Sequence, residues 1–451
     1  MRFLSLPSDA RFSNKQIFIF LIPVFMEQLM IAGLGMVDTY MVSSIGESAV
    51  AGVSLVTSVD IFIRQIFVAL AAGGSVVLSQ YLGAQDAHKA EETLRDNIHT
   101  IFVIGLAVSA VMLIFRKPIL AFLFGAADSA VMEASEAYLM CISISYPFMA
   151  LYNAGTAAYR AMGNSRVPMI ASLSMMAVNI LLKYIFIFVL DWGVAGAGLS
   201  TMLGTGIVGV VLILLLCRPK NLVYIPHLFC FRYDFSLIGR IFKVSIPNAI
   251  ENGMFQFGII VLQGLVSTLG TAAIAANGIA NNIAPLMYCL STSFSMVLMV
   301  IVGQCMGAGR ADEAEMYIKH VLKIEYLCML VNGAVVMLSV NALVSLFGLS
   351  EEAARMAREI LHVYVAVSAV LYASSFSVAY GLRGAGYTKF VMIVSVISMF
   401  LLRIGVAYVF VLFFRTGVIG IWYAQALDWL VRSVVFWARF LRGKWKKIKI
   451  I

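Results

Sequence analysis

Residues 79–92 read "SQYLGAQDAHKAEE", and 224 positions later residues 303–316 read "GQCMGAGRADEAEM". The offset is close to half of the 451-residue chain, and other blocks keep it. "IPVFMEQ" (22–28) falls on "IPNAIEN" (246–252), which sets Pro23 on Pro247 and Glu27 on Glu251. "SIGESAVAG" (44–52) falls on "TLGTAAIAA" (268–276), and "GVAGAG" (193–198) on "GVIGIW" (417–422). At an offset of 223, "RAMGNSRVPMI" (160–170) meets "RGAGYTKFVMI" (383–393). Blocks in one order at one spacing mean two halves of common origin.

The halves are built for lipid. The chain is 62% hydrophobic and only 12% charged, about half the charge of a typical globular domain. Apolar runs long enough to cross a bilayer as helix recur from end to end, as in "IFIFLIPVFMEQLMIAGLGMV" (17–37) and "SLSMMAVNILLKYIFIFVL" (172–190). Strand alternation is absent, which argues against a barrel. Spans start near residues 16, 49, 97, 135, 168, 194, 244, 272, 321, 358, 390 and 417. The expected fold is therefore all-α, with twelve transmembrane helices. Residues 1–216 form one six-helix lobe and 241–451 the other, joined by the polar linker 217–240. Because six is even, the lobes share one orientation and a pseudo-twofold axis along the membrane normal is expected, with the substrate site at their interface.

Twelve spans leave both termini on one side. Placing them inside puts 23 of the 32 Lys and Arg residues on inner segments and 5 on outer loops, so both termini are expected in the cytoplasm of a cell-membrane protein. The net charge of +9 thus reflects topology more than a nucleic-acid partner. The tail "ARFLRGKWKKIKII" (438–451) suits an anionic lipid surface, and "MRFLSLPSDARFSNK" (1–15) reads as a retained cytosolic tail. Cys141, Cys217, Cys230, Cys289, Cys305 and Cys328 show no CxxC and read as small hydrophobes.

"MVDTYMVSSIGESAVAGVSL" (36–55), the doubled stretch, "SIPNAIENGMFQFG" (245–258) and "IVGQCMGAGRADEAE" (301–315) together resemble the multidrug and toxic compound extrusion (MATE) transporters over essentially the whole length. The resemblance implies a cofactor-free antiporter. It would export amphipathic, often cationic, small molecules in exchange for Na⁺ or H⁺ as the two lobes rock. A monomer is expected.

Ionisable residues within spans carry the chemistry, since each must face a cavity or a partner. Glu27, Asp38, Asp60, Arg64, Lys183, Glu251, Arg403, Asp428 and Arg432 qualify. Asp60/Arg64 and Asp428/Arg432 are i,i+4 pairs in the favourable order and read as structural ion pairs. Asp38 has no local partner, and its repeat counterpart is Leu262. By resemblance, Asp38 belongs to a cation-coupling site with Asn179 and Thr201, whose oxygens suit Na⁺ or a proton relay. Lys183, one turn after Asn179, departs from the family pattern: its ammonium would form a switchable pair with Asp38, stand where Na⁺ would, and favour H⁺ coupling.

Glu27 and Glu251 each follow a proline by four residues, where a kinked helix can open a polar turn into the cavity. They are expected to handle substrate or protons. Helix 10 carries no acid in "LHVYVAVSAVLYASSFSVAY" (361–380), so the family's second cation site is not expected in full. Arg403, the counterpart of Asn179, is expected to pair with Glu251 or Asp428.

A lipid-linked-oligosaccharide flippase is the alternative within transport, but it calls for a basic cavity, and the intramembrane charges here nearly balance. An intramembrane enzyme would need clustered nucleophile, base or metal ligands. His88, His99, His227, His320 and His362 are instead scattered, mostly near loops. A channel would fail to accumulate substrate against a gradient. The doubled stretch itself reads as a connector, with a glycine turn at Gly83 and Gly307.

Overall fold

Long apolar runs satisfy their backbone groups internally only as helix or closed barrel, and here they choose helix. The computed structural model describes residues 6–7, 10–124, 128–226, 228 and 233–451, with backbone alone at 32, 34–37, 39 and 40. Among these no strand occurs. His227, Cys230 and the remainder of 229–232, part of the expected linker, lie outside the described residues.

The first half comprises α1 Asn14–Ser43, α2 Glu47–Gly83, α3 Ala87–Ile114, the short α4 Arg116–Phe124, α5 Ser129–Ala161, α6 Arg166–Lys183 and α7 Gly193–Leu216. The second comprises α8 Phe235–Ser267, α9 Thr271–Ile283, α10 Pro285–Gly307, α11 Ala311–Ser345, α12 Glu351–Tyr372, α13 Val378–Gly384, α14 Thr388–Ser398, α15 Val406–Tyr408 and α16 Ile419–Leu441. Wider π-type turns prolong α6 (Tyr184–Val189), join α12 to α13 (Ala373–Ser377) and flank α15 (Met399–Gly405, Val409–Phe413). Counting each continuous rod once, with α9 and α10 meeting at Pro285, the described residues form twelve of membrane length. By length and composition alone, ten helices can cross a membrane; α5 and α16, richer in polar groups, complete the set.

The repeat is written in the backbone. Left-handed residues recur at the repeat offset as Gly46 and Gly270, Gln85 and Gly309, Gly163 and Gly386, Asp191 and Arg415, and Gly193 and Gly417. In the doubled stretch the expected turn position is corrected by two residues. Gly83 and Gly307 end α2 and α10, while the left-handed residues are Gln85 (φ 59°) and Gly309 (φ 72°). A glycine adopts that conformation without a Cβ clash, and Gln85 adopts it at a cost. Asp86 then caps α3 by accepting from the Lys89 N–H at 3.0 Å.

Two compact units result, one of Ile22–Ala249 and one of Met1–Leu21 with Ile250–Ile451. Relative to the halves of the repeat, the starts of α1 and α8 are exchanged, and each helix changes unit beside its proline, Pro23 or Pro247. The doubled stretch and the helices it opens, α3 and α11, hold these exchanged starts. In the first unit the Asp234 N–H donates to Asp96 at 3.1 Å and Lys89 reaches the Asp234 carboxylate at 3.3 Å. The Leu237 N–H, with Lys89, keeps the Asp234 carboxyl below its ordinary range. In the second unit the Arg11 N–H donates to Glu313 at 2.6 Å, and His320 meets Asn14 at 2.7 Å.

Each unit packs around one helix: α2, α3 and α7 surround α5, and α9, α11 and α16 surround α12. Close approach depends on small residues. A Cβ at Gly209 of α7 would lie 2.6 Å from the Phe148 carbonyl oxygen of α5, whereas one at Gly278 of α9 would meet nothing within 4 Å. Gly209→Ala is therefore expected to destabilise the protein by about 1–3 kcal/mol and Gly278→Ala to leave it unchanged, as read by thermal unfolding in detergent.

Candidate functional site

In the unit Ile22–Ala249, three helices bring charge to one place. Lys183, at the end of α6 and with a side chain only 1% exposed, sets its ammonium 2.5 Å from the Asp38 carboxylate on α1. Asp38 stays about one-third accessible, at 32%. One turn earlier on α6, the Asn179 amide nitrogen donates to Thr201 Oγ1 on α7 at 3.3 Å, and the buried Asn179 Oδ1 has no partner among the described residues. Thr201 donates in turn to the Ala197 carbonyl at 3.2 Å and is also hydrogen-bonded with Tyr138 of α5.

The Asp60–Arg64 pair of α2, 2.5 Å apart, belongs to the same neighbourhood. Arg64 acts electrostatically on Lys183, and Tyr138 feels Asp38, Asp60 and Arg64 together. Two acids and two bases thus balance one another. The oxygens offered for a cation are largely spoken for: Asp38 by an ammonium and Thr201 by an amide. This arrangement does not fit a Na⁺ ion while Lys183 stays in place.

Glu27 and Glu251 are both buried, and each has an arginine partner that falls among the basic residues of the inner segments. Arg160 at the end of α5 lies 2.6 Å from Glu27, and Arg383 of α13 lies 2.6 Å from Glu251. Glu27 also accepts from Ser172 at 3.1 Å, which contacts Tyr152 at 2.6 Å. Arg383 stacks on Tyr380, 4.5 Å from the ring centre. Acid and base are both repeated, Glu27 on Glu251 and Arg160 on Arg383, and each pair closes within one unit. That complementary doubling was the available signal.

In the other unit the expected pairs rearrange. Glu251 is taken by Arg383, so Arg403 instead donates to Gln425 at 2.6 Å and acts on Asp428 only at longer range. Gln425 stands at the repeat position of Thr201, and Arg403 at that of Asn179, so the polar link between these two rods is kept with changed chemistry. Asp428 and Arg432 form no ion pair. Asp428 accepts from Ser398, while Arg432 donates to Ser395 at 3.1 Å. The Arg432 guanidinium faces Phe376, Phe255 and Phe436 at 4.7, 5.2 and 5.8 Å from their ring centres. Ring faces thus surround the guanidinium where a carboxylate one turn away was expected.

The MatE family model matches residues 23–185 and again 247–409. Both matches start at the unit-crossing prolines, and they are separated by the repeat offset of 224. The chain belongs to the MATE family. It is accordingly a multi-pass membrane transporter and not an enzyme. It is 24% identical to the "Uncharacterized transporter YisQ" of Bacillus subtilis, over 98% of this chain and 96% of that protein. It is 23% identical to the "Probable multidrug resistance protein NorM" of Thermotoga maritima, over 97% and 94%. A solved outward-facing multidrug resistance MATE transporter superposes with a TM-score of 0.89 at 21% identity, over 96% of this chain and 97% of that one. MATE structures of this kind have twelve helices in two lobes.

Breaking a buried pair from one side leaves a charge uncompensated, at a cost of about 3–5 kcal/mol. Arg160→Met is expected to lower thermal stability in detergent by that order, and Glu27→Gln/Arg160→Met to recover most of the loss. A double variant as unstable as the single one would show that the two groups are not coupled.

Proposed function

We propose that this MATE transporter exports amphipathic cations across the cell membrane in exchange for H⁺, with Asp38 and Lys183 as the coupling pair. The observation that carries this reading is the 2.5 Å contact between a buried ammonium and a partly accessible carboxylate. While ionised, the pair adds no net charge. A proton arriving on the accessible Asp38 discharges the carboxylate and leaves Lys183 a buried cation without its partner. That positive charge disfavours a cationic substrate in the same half, so proton uptake and drug release are linked. Loss of the proton restores the pair and the capacity to accept the next cation.

Asn179 and Thr201 serve as positioning residues, holding α6 against α7 so that Lys183 keeps its place. Asp60 and Arg64 set the background field. Glu27 and Glu251 enter substrate or proton handling only when Arg160 and Arg383 release them, and the prolines at the unit crossings are natural points for such bending. The drug-resistance names of relatives support a small-molecule cationic substrate, and the balance of basic residues supports cytoplasmic termini. A single chain, which contains both halves of the repeat, is the proposed working unit.

Purified protein in proteoliposomes, with ΔpH and Na⁺ gradients imposed separately, tests the proposal with a fluorescent lipophilic cation. Wild type is expected to respond to ΔpH and not to Na⁺. Asp38→Asn and Lys183→Ala are each expected to reduce ΔpH-driven transport about tenfold or more, equivalent to roughly 1.4 kcal/mol in the barrier. Normal transport by Asp38→Asn, or a response to Na⁺ alone, would refute it.

A further inference from the structure

One buried acid plays no part in the scheme above. Glu325 lies on α11 with none of its side chain exposed. Its Oε1 accepts from Ser377, in the wide turn Ala373–Ser377, at 2.8 Å, and from Ser291 of α10. Ser377 in turn lies 2.8 Å from Ser295. Oε2 is buried and has no hydrogen-bond partner among the described residues.

Glu27, Asp38, Asp60 and Glu251 each lie against a base, and Glu325 does not. The titratable groups facing it are Tyr326 and Cys328 from α11 and Tyr372 from α12, all neutral. From α10 and the wide turn come serine hydroxyls, and among the described residues no Lys, Arg or His from the elements packed on it acts on this carboxyl.

Two neutral hydroxyl donors on Oε1 and no partner at Oε2 give a buried carboxylate too little compensation, so the neutral acid is the less costly form. Oε1 then serves as the accepting carbonyl oxygen and Oε2 carries the proton. The ionised form would be a buried charge without a counter-ion, costing several kcal/mol. It becomes favourable only when a rearrangement brings water or a cation to Oε2. The wide turn that supplies Ser377 is the element able to rearrange, since turns of this kind mark functional irregularities in helices. Ser374 of the same turn donates to Ser433 of α16 at 2.9 Å, next to Arg432. A change at Glu325 is therefore mechanically linked to the helix that carries Asp428 and Arg432.

We propose that Glu325, cradled by Ser291, Ser295 and Ser377, is a second proton-binding site, in the half of the protein that lacks a counterpart of Asp38. It releases H⁺ to water when this unit rearranges and regains it when the unit closes. The inference rests on the reading of the protein as a proton-coupled antiporter and extends the number of protons it handles.

Infrared spectroscopy of the purified full chain across a pH series tests the site without requiring transport. Wild type is expected to show a protonated-carboxyl C=O band that disappears as pH rises. Glu325→Gln should lack this component, and Asp38→Asn should retain it. In Ser377→Ala the ionised form loses a donor, so the midpoint should move to higher pH; this variant carries the test if Glu325→Gln does not fold. In proteoliposomes Glu325→Gln should flatten the pH profile of transport, which a purely structural acid would not do. A band unchanged in Glu325→Gln, an unmoved midpoint in Ser377→Ala, or a wild-type pH profile in Glu325→Gln would overturn the proposal. Normal transport by Asp38→Asn with the Glu325 band still titrating would instead refute the Asp38–Lys183 coupling and leave this site standing.

Discussion

A charge carried into hydrocarbon must be neutralised by something within reach, and most of the polar architecture of this protein follows from that requirement. Glu27 and Glu251 persist because Arg160 and Arg383 persist with them, each at 2.6 Å and each within its own unit. Neutralisation inside the unit lets that unit move as a body without exposing a bare charge. The same requirement makes the pair Asp38–Lys183 consequential. There the acid stays accessible while the base is sealed, so a proton can reach one partner and strand the other.

The duplication supplies a scaffold of like halves, and the differences between them fall at the chemistry. Asn179 with Thr201 becomes Arg403 with Gln425, Asp38 becomes Leu262, and Lys183 becomes Ala407. One half therefore holds a balanced set of two acids and two bases. The other concentrates guanidinium around a single aspartate and adds the isolated acid Glu325. The doubled stretch that exposes the repeat has a mechanical task. Beyond Gln85 and Gly309, α3 and α11 each grip the chain leading into α8 or α1, on the near side of the proline where those helices change unit.

The fold was legible because its signals are redundant: twelve apolar runs, a constant offset and paired glycines all describe one architecture. The contact of Asp38 with Lys183 was legible as well, since two opposite charges deep in spans with no local partners leave few other pairings. Three features were not. Arg160 and Arg383 sit at helix ends and fall among the loop charges, although their offset of 223 is within one residue of the 224 between the glutamates they neutralise. Asp428 and Arg432 looked like a helix-face pair, but besides Phe436 on the same helix the rings of Phe376 and Phe255 face the guanidinium, and spacing along one helix carries no information about those two. Glu325 follows Lys323 near the start of its span and is absent from the set of ionisable span residues drawn from the sequence. Its isolation from bases among the described residues is a property of packing.

Proton release on binding is the most direct test of the account. Adding tetraphenylphosphonium to purified protein in weakly buffered detergent should release protons into solution, because occupancy by a cation favours the ionised Asp38–Lys183 pair. Asp38→Asn should still bind this cation but release fewer protons. Proton release from Asp38→Asn equal to that of wild type would contradict the central claim that this pair links drug binding to H⁺.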